Sequence, residues 1–142
     1  MSKNYTIDTI EQGQEFQLKK AVRLEDIEVF STITRDFHPL HSDSDYAIEQ
    51  GFDNVIAHGA LLSAYTSVIV GMHLPGKHAI ALSQTFDYMK PAYPGDVLTI
   101  LGRVSEIDKR FNTIKVKMVI HNDAGDKLAK GSWTVRIRPE QD

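Results

Sequence analysis

The sequence lacks cysteine, a run of basic residues and any long apolar stretch. Without cysteine, its 142 residues provide no disulfide, no thiol nucleophile and no thiolate metal site. The net charge is -3 at pH 7, whereas a nucleic-acid partner would require a basic surface. No apolar stretch approaches the roughly 20 residues that cross a bilayer, and residues 1–9 are polar, unlike a signal peptide. We therefore expect a cytoplasmic protein with no nucleic-acid or membrane partner.

The residues that are present have the proportions of a globular protein. Hydrophobic residues make up 42% of the chain and charged residues 25%. A chain of 142 residues has the size of one domain and buries a core without disulfides. We therefore expect residues 1–142 to form a single domain.

The order of the predicted elements indicates an α+β fold. Apolar residues on one face predict a helix over Leu24–Thr34. A shorter helix, capped by Ser42 or Asp43, is predicted to run to Gln50 and to end at Gly51. Alternating residues and turn signals predict strands over residues 15–23, 79–89, 97–107, 113–121 and 128–138.

The longest apolar segment predicts a central helix over about residues 57–72. This helix is apolar on almost every side, and we therefore expect it to be buried. A curved antiparallel sheet wrapped around a long helix would bury it, which is the hot-dog architecture. One small sheet covers such a helix incompletely, so we also expect a homodimer.

Asp36 and His41 are the first candidates for catalytic residues. On a continuous helix, residues five positions apart would diverge by about 140° around the axis. Pro39 lies between them and interrupts the helix, so a bend lets both side chains face one pocket. A carboxylate beside an imidazole can hold a water molecule and move its protons. Histidine suits this chemistry because its unperturbed pKa lies near neutral pH.

Gly59 is the third candidate, because it lies near the start of the predicted central helix. The first N–H groups of a helix have no partner within it and lie at the positive end of its dipole. A glycine allows a ligand to approach the backbone closely. The Gly59 N–H is therefore suited to donate to a carbonyl oxygen on which negative charge develops.

The segment Thr34–His41, of sequence TRDFHPLH, resembles the signature of the MaoC-like, R-specific enoyl-CoA hydratases. That signature is Ser/Thr-Gly-Asp-x-Asn-Pro-Leu/Ile/Val-His. The similarity continues through Val55–Leu62, Leu74–Gly76 and Pro91–Asp96. Together these blocks lie within about two-thirds of the chain, from Leu24 to the last strand. Several blocks in the right order are far more specific than the single Asp-x-x-Pro-x-His spacing.

The resemblance implies a hydro-lyase that adds water reversibly to a trans-2-enoyl thioester and forms the (R)-3-hydroxyacyl thioester. It implies that Asp36 and His41 bind and activate the water, and that Gly59 provides the N–H for the thioester oxygen. It also implies that a serine on the central helix, Ser67 or the nearby Ser63, helps to order the site for substrate binding. We expect His38 to contribute to substrate binding as well. No metal or redox cofactor is implied, and coenzyme A enters only as part of the substrate.

Two positions depart from the family signature. Arg35 stands where the family has glycine, which removes backbone freedom and adds charge near the pocket. His38 stands where the family has asparagine, a residue that shapes the bend, and His38 can do so through a different hydrogen bond. These departures bear on substrate choice and activity, but the Asp and the His of the signature are both retained.

Structural interpretations of the same residues remain open. Asp36 is a residue type that favours turns, and a lone histidine such as His41 is more often a surface or core residue. Ser67 is more often structural than catalytic. The spacing of His38, His41, Asp43 and Asp45 also occurs by chance and is weak support for a metal site. Trp133 is expected to be a packing residue. Four further histidines have no convincing partners in the sequence: His58, His73, His78 and His121.

Two other functions remain compatible with the sequence. The hot-dog fold also hosts acyl thioesterases, and a fold does not determine a reaction. A chain with the departures at Arg35 and His38 is also compatible with a catalytically weak module that binds acyl thioesters. The sequence leaves open the carrier of the acyl group, the chain length and the direction of the reaction. It also leaves open whether the assembly is larger than a dimer.

Overall fold

A computed structural model describes residues 1–141 of the protein. The elements in this range are β1 (Glu15–Ala21), α1 (Leu24–Thr34), α2 (Pro39–Ser42), α3 (Ser44–Glu49), α4 (Gly59–Tyr65), α5 (Ser67–Met72), β2 (Ala79–Tyr88), β3 (Val97–Asp108), β4 (Thr113–His121) and β5 (Lys127–Ile137). The five predicted strands and the first predicted helix are confirmed, with bounds that differ by at most two residues. The shorter helix is confirmed as α3, which Asp43 caps by accepting the Tyr46 N–H.

The strands form one antiparallel sheet in the order β1-β3-β4-β5-β2. Ile100 of β3 lies opposite Ile120 of β4, which in turn lies opposite Ala129 of β5. All three are buried, because alternate residues of the central strands point to the same face. The residues of α4 and α5 that are buried, including Leu62 and Ile69, belong to the same core.

Gly102 of β3 allows α5 to lie close to the sheet. A Cβ atom at this position would be 2.7 Å from Cγ2 of Ile69 and 3.2 Å from Sδ of Met118. Both distances are shorter than ordinary contacts between carbon or sulfur atoms. The missing side chain therefore sets the distance between the helix and the sheet that covers it.

The sequence predicts one continuous central helix over about residues 57–72, and this prediction is wrong. The helix begins at Gly59 because His58 has a ψ of 138°, outside the helical range. Before it, Ile56 donates to the Leu40 carbonyl and Ala57 to the Ala92 carbonyl, each at 2.9 Å. The helix is divided at Thr66, whose Oγ1 donates to the Ser63 carbonyl at 2.6 Å. The same oxygen accepts the indole N–H of Trp133 at 2.9 Å, which ties the break to β5.

In the single chain the central helix is buried on one face only, which agrees with the expectation that one small sheet covers it incompletely. One face is covered by the sheet, but a stripe on the other face is exposed. The residues of this exposed stripe are Ala60, Ala64, Ser67, Val68 and Gly71. Most of these residues are small and apolar, so the sequence does not distinguish the exposed face of the helix from the buried one. Across residues 1–141, none of the helices has the length and apolar character that a membrane crossing requires.

Candidate active site

The bend between α1 and α3 is formed by hydrogen bonds from side chains to backbone. The Asp36 N–H donates to Oγ1 of Thr34 at 3.2 Å, and the His38 N–H donates to Oδ1 of Asp36 at 3.1 Å. Pro39 is the first residue of α2, where its missing N–H costs nothing. The Leu40 N–H donates to Nδ1 of His38 at 3.1 Å. His38 thus caps α2, which is the different hydrogen bond expected where the family has asparagine.

Arg35 has a φ of 64° and ends α1 in the left-handed conformation. Glycine adopts this conformation without strain, whereas a side chain at this position costs about 1–2 kcal/mol. The family signature has glycine here, so the substitution keeps the backbone shape and adds strain. The exposed guanidinium lies directly before Asp36 in the chain.

His41 is oriented by a backbone carbonyl. Its Nδ1 lies 2.7 Å from the Ile56 oxygen. A carbonyl oxygen only accepts, so Nδ1 carries the proton and donates it. In the neutral imidazole, Nε2 is then the unprotonated nitrogen that can accept a proton. The segment before α4 therefore selects the tautomer of His41.

The structure brings Asp36 and His41 together, as the bend at Pro39 predicts, and adds His58. One carboxylate oxygen of Asp36 and one ring nitrogen of each histidine all lie within 4.8 Å of one another. Asp36 is exposed, His41 is half-buried and His58 is buried. This gradient leaves the carboxylate and the first imidazole open to a small molecule, with the second imidazole behind them.

The expectation that His58 has no convincing partner is wrong. Its ring stacks on His41 with 3.7 Å between centroids, and its Nε2 lies 3.1 Å from Oγ of Ser31. Burial is the main cause that lowers the pKa of His58. The hydrogen bond to the Asp36 backbone opposes it, and the weaker repulsion from His41 adds to the lowering. The available signal was its place beside Gly59 in the block that resembles the hydratases.

Gly59 is the first residue of α4, as the oxyanion interpretation requires. Among residues 1–141, its N–H donates no hydrogen bond. A Cβ atom at this position would lie 3.2 Å from the ring of Tyr88, so the glycine allows Tyr88 to cover the helix start. A free donor thus lies next in sequence to the histidine stack.

Clefts open on both sides of these residues. One of about 410 Å³ lies beside His41 and includes Ser31 and Phe37 in its lining. The other, of about 230 Å³, lies beside Gly59 and is lined in part by Leu62 and Tyr88. Ligand sites in proteins are concave and largely apolar, with few polar groups. The clefts offer this combination on the two sides of the histidine stack.

Ser67 is not brought to the pair. It lies on the exposed stripe of α5 and lines neither of the two clefts. The neighbouring buried hydroxyl is that of Thr66, which is bonded to Ser63 and Trp133. Trp133 therefore packs in the core as expected and also makes a hydrogen bond.

The geometry of the cluster does not suit a metal ion. A nitrogen ligand points its lone pair along the ring plane and lies about 2.0–2.1 Å from zinc. The rings of His41 and His58 are stacked and inclined by only 24°, so their planes do not converge on a nearby ion. Two residues of the weak His-x-x-His-x-Asp spacing have other roles, since Asp43 caps α3 and His38 caps α2. The arrangement is suited to proton transfer.

A family model for the MaoC like domain matches residues 6–125 of the chain. The chain belongs to the MaoC-like family. Two curated (R)-specific enoyl-CoA hydratases are similar along nearly the whole length. That of Aeromonas caviae is 31% identical over 91% of this chain and 96% of its own, and that of Rhodospirillum rubrum is 31% identical over 92% and 90%.

Solved structures support the same assignment for this MaoC-like protein. The unliganded R-hydratase from Pseudomonas aeruginosa superimposes with a TM-score of 0.90. It is 28% identical, and the match covers 98% of this chain and 89% of that one. The protein therefore has the hot-dog fold, with an open antiparallel sheet packed on helices, and the predicted fold class is confirmed.

Proposed function

We propose that this MaoC-like protein adds water reversibly to trans-2-enoyl thioesters and forms (R)-3-hydroxyacyl thioesters. It is thus a hydro-lyase, and coenzyme A is the carrier in this proposal. The observation that carries the proposal is the convergence of Asp36 with a His41 whose tautomer is set by Ile56. The similarity to (R)-specific enoyl-CoA hydratases over nearly the full chain supports the same reaction.

Asp36 and His41 bind the water molecule between the carboxylate and Nε2. His41 takes a proton as the water oxygen bonds to C3 of the enoyl chain. The same proton equivalent is returned to C2, so one O–H bond and the π bond between C2 and C3 break while one C–O and one C–H bond form. The pair ends in the protonation state in which it began, and dehydration is the reverse sequence.

The Gly59 N–H stabilises the charge that develops on the thioester oxygen during this addition. Such a donor is worth roughly 3–4 kcal/mol of barrier when it is aimed at the developing oxyanion. Neither this step nor the proton transfer needs a metal or a redox cofactor, and we propose that none takes part. The thioester itself stays intact, which separates this reaction from thioester hydrolysis.

The roles of His38 and Ser67 belong to the same proposal. His38 uses Nδ1 to cap α2 and presents the rest of its exposed ring near the catalytic loop, where it can contact substrate. Ser67 lies on the exposed stripe, so in this proposal it acts where a second copy of the chain covers that stripe.

We further propose a homodimer that forms through β2. This strand lies at the end of the sheet, and its outer edge presents unpaired backbone groups that invite pairing with a second strand. Large apolar side chains are exposed on or next to it, namely Ile80, Leu82, Tyr88 and Met89. The stripe on α5 adds Val68, which is 41% exposed. A second copy would cover both features at once.

The homodimer is tested by the molar mass in solution. The wild-type chain should show twice the mass of one chain, and Ile80→Arg should give monomers. Ile48→Arg is the matched control, because Ile48 is also exposed but lies on α3. A monomeric wild-type mass contradicts the proposal, and so does a dimer that both variants retain.

The reaction is tested with crotonyl-CoA and the folded wild-type protein. Hydration removes the absorbance of the enoyl thioester and releases no free thiol, whereas a thioesterase releases the thiol. A catalytically weak binding module would bind the thioester without turnover. Loss of enoyl absorbance without thiol release supports the hydratase, and either of the other two results contradicts it.

A cytoplasmic location is the remaining part of the proposal. It follows from the substrate, because coenzyme A thioesters are charged and do not cross membranes by themselves. Fractionation of cells with an antibody against the protein tests it. Recovery of the protein outside the cytoplasmic fraction would contradict this part and leave the reaction untouched.

A further inference from the structure

His58 is buried between two aromatic rings at the back of the proposed active site. The residue is only 2% exposed. One neighbour is His41, whose ring is stacked at 3.7 Å between centroids. The other is Phe30 of α1, at 4.8 Å and inclined by 56°. The ring of His41 therefore has a fixed surface behind it.

The same imidazole is also tied to the backbone of Asp36. Its Nε2 lies 3.3 Å from the Asp36 carbonyl oxygen and 3.1 Å from Oγ of Ser31. The carbonyl only accepts, so Nε2 donates its proton there when it carries one. One side chain thus contacts both members of the catalytic pair, the ring of His41 and the backbone of Asp36.

The surroundings of the other ring nitrogen, Nδ1, favour a neutral His58. Within residues 1–141, the buried Nδ1 has no hydrogen-bond partner. Protonation there would bury an N–H without an acceptor, and it would place a positive charge against His41. The ionisable groups that face His58 are His41 and Asp36, and the remaining neighbours, Phe30 and Ser31, are neutral.

We propose that His58 is a positioning residue, which as a neutral imidazole holds the ring of His41 and the backbone of Asp36 in one geometry for the addition of water. This inference rests on the proposed function. It does not place His58 on the substrate, because His58 is buried behind His41. A shift of about 1 Å in a catalytic group can cost about 100-fold in rate.

Two substitutions separate the contacts that His58 makes. His58→Phe keeps a ring against His41 and removes the donor to Asp36, whereas His58→Gln keeps a donor and removes the ring. Each should lower kcat by about 10- to 100-fold while KM changes by less than about threefold, because binding groups are untouched. Each should also shift the acidic limb of the pH profile of kcat.

His73 provides a matched control in the same chain. It is also stacked on an aromatic ring, that of Phe16 at 3.5 Å, and its Nδ1 is also buried without a partner within residues 1–141. It lies at the end of α5, 15 positions after His58. His73→Gln should keep kcat and its pH profile within about twofold of wild type, even if stability falls.

Nitrogen NMR of the His41 ring gives a readout that does not depend on turnover. In the wild type, His41 should hold its proton on Nδ1, and His58 should be neutral at neutral pH. In His58→Phe, the tautomer population of His41 should change. A His41 spectrum and a kcat profile that both match wild type in the two His58 variants would overturn the proposal.

A further variant is needed if the His58 variants do not fold. In that case Ser31→Ala, which removes one neighbour of Nε2, should lower kcat severalfold with an unchanged melting temperature. A wild-type spectrum in which His58 is charged at neutral pH would overturn the proposal without any variant. Absence of turnover in the wild type would instead defeat the proposed function, and the His41 spectra would still decide the role of His58.

Discussion

The sheet and the bend before α3 hold their residues in different ways. In β3, β4 and β5, ladders of backbone hydrogen bonds align buried side chains such as Ile100 and Ile120 against the helices. In the bend, exposed residues are held by single bonds from side chains, such as those that Thr34 and Asp36 accept. Changes in the sheet should therefore alter stability, whereas changes in the bend should alter activity.

The largest effect should come from His41→Gln in the bend. Loss of a general base typically costs between about 100- and 10,000-fold in rate. The melting temperature should fall only slightly, because His41 is half-buried and outside the main core. Hydration kinetics and a thermal melt of the same sample test both statements. Normal turnover, or a variant that does not fold, would contradict the separation of the two regions.

Gly59→Ala should have the second largest effect. The new Cβ would press on the ring of Tyr88 from 3.2 Å, so either the helix start or the ring must shift. A shift in the donor to the thioester should lower kcat by about 10- to 100-fold. The double variant with Tyr88→Ala tests the cause, since it should recover part of the loss if the clash is responsible.

In the sheet, Gly102→Ala should lower stability and leave activity nearly unchanged. A Cβ there would lie 2.7 Å from Ile69 in the buried contact between β3 and α5. Overpacking of this kind typically costs about 1–3 kcal/mol of stability. Urea unfolding should show this loss, while kcat per folded molecule should stay within about twofold of wild type. A large fall in kcat at full stability would show that the two regions are not separable.

Acidification should destabilise the protein through His58, which is buried, and His73, which is half-buried. Burial lowers the pKa of His58 and of His73, so the unfolded chain binds protons that the folded chain does not. Stability from these groups is present above about pH 6.5 and is lost below it, by at most about 1.4 kcal/mol per pH unit for each group. His73→Phe should reduce this slope between pH 7 and pH 5 in urea unfolding. An unchanged slope would contradict the account.

The smallest effect should come from Arg35→Gly. Glycine relieves the strain of the left-handed φ of 64° but has more freedom to lose on folding. These effects oppose each other, so the free energy of unfolding should rise by no more than about 1 kcal/mol. Urea unfolding at pH 7 tests this prediction. A marked loss of stability would mean that the Arg35 side chain makes a favourable interaction that outweighs its strain.

The strands were predictable from the sequence, but the shape of the central helix was not. Alternation in residues such as Val116, Met118 and Ile120 is a local pattern that also determines which face is buried. The break at Thr66 instead depends on the indole of Trp133, 67 positions later in the chain. Propensity and length favour a continuous helix, and no local signal records that distant hydrogen bond.

The site was predictable where its residues share one loop. Asp36 and His41 lie on either side of Pro39, so a bend in the chain was enough to place them together. His58 comes from a separate segment, and its contact with Asp36 depends on how that segment packs on α1. Position near Gly59 was a hint, but the stacked geometry could only come from the fold.

The most direct test of the central claim is the hydration of crotonyl-CoA by Asp36→Asn, with chiral analysis of the wild-type product. Asp45→Asn on α3 is the matched control, because it removes an exposed carboxylate outside the site. The account predicts (R)-3-hydroxybutyryl-CoA from the wild type and the control, and a loss of at least about 100-fold in Asp36→Asn. Equal turnover in Asp36→Asn, or an (S) product from the wild type, would contradict it.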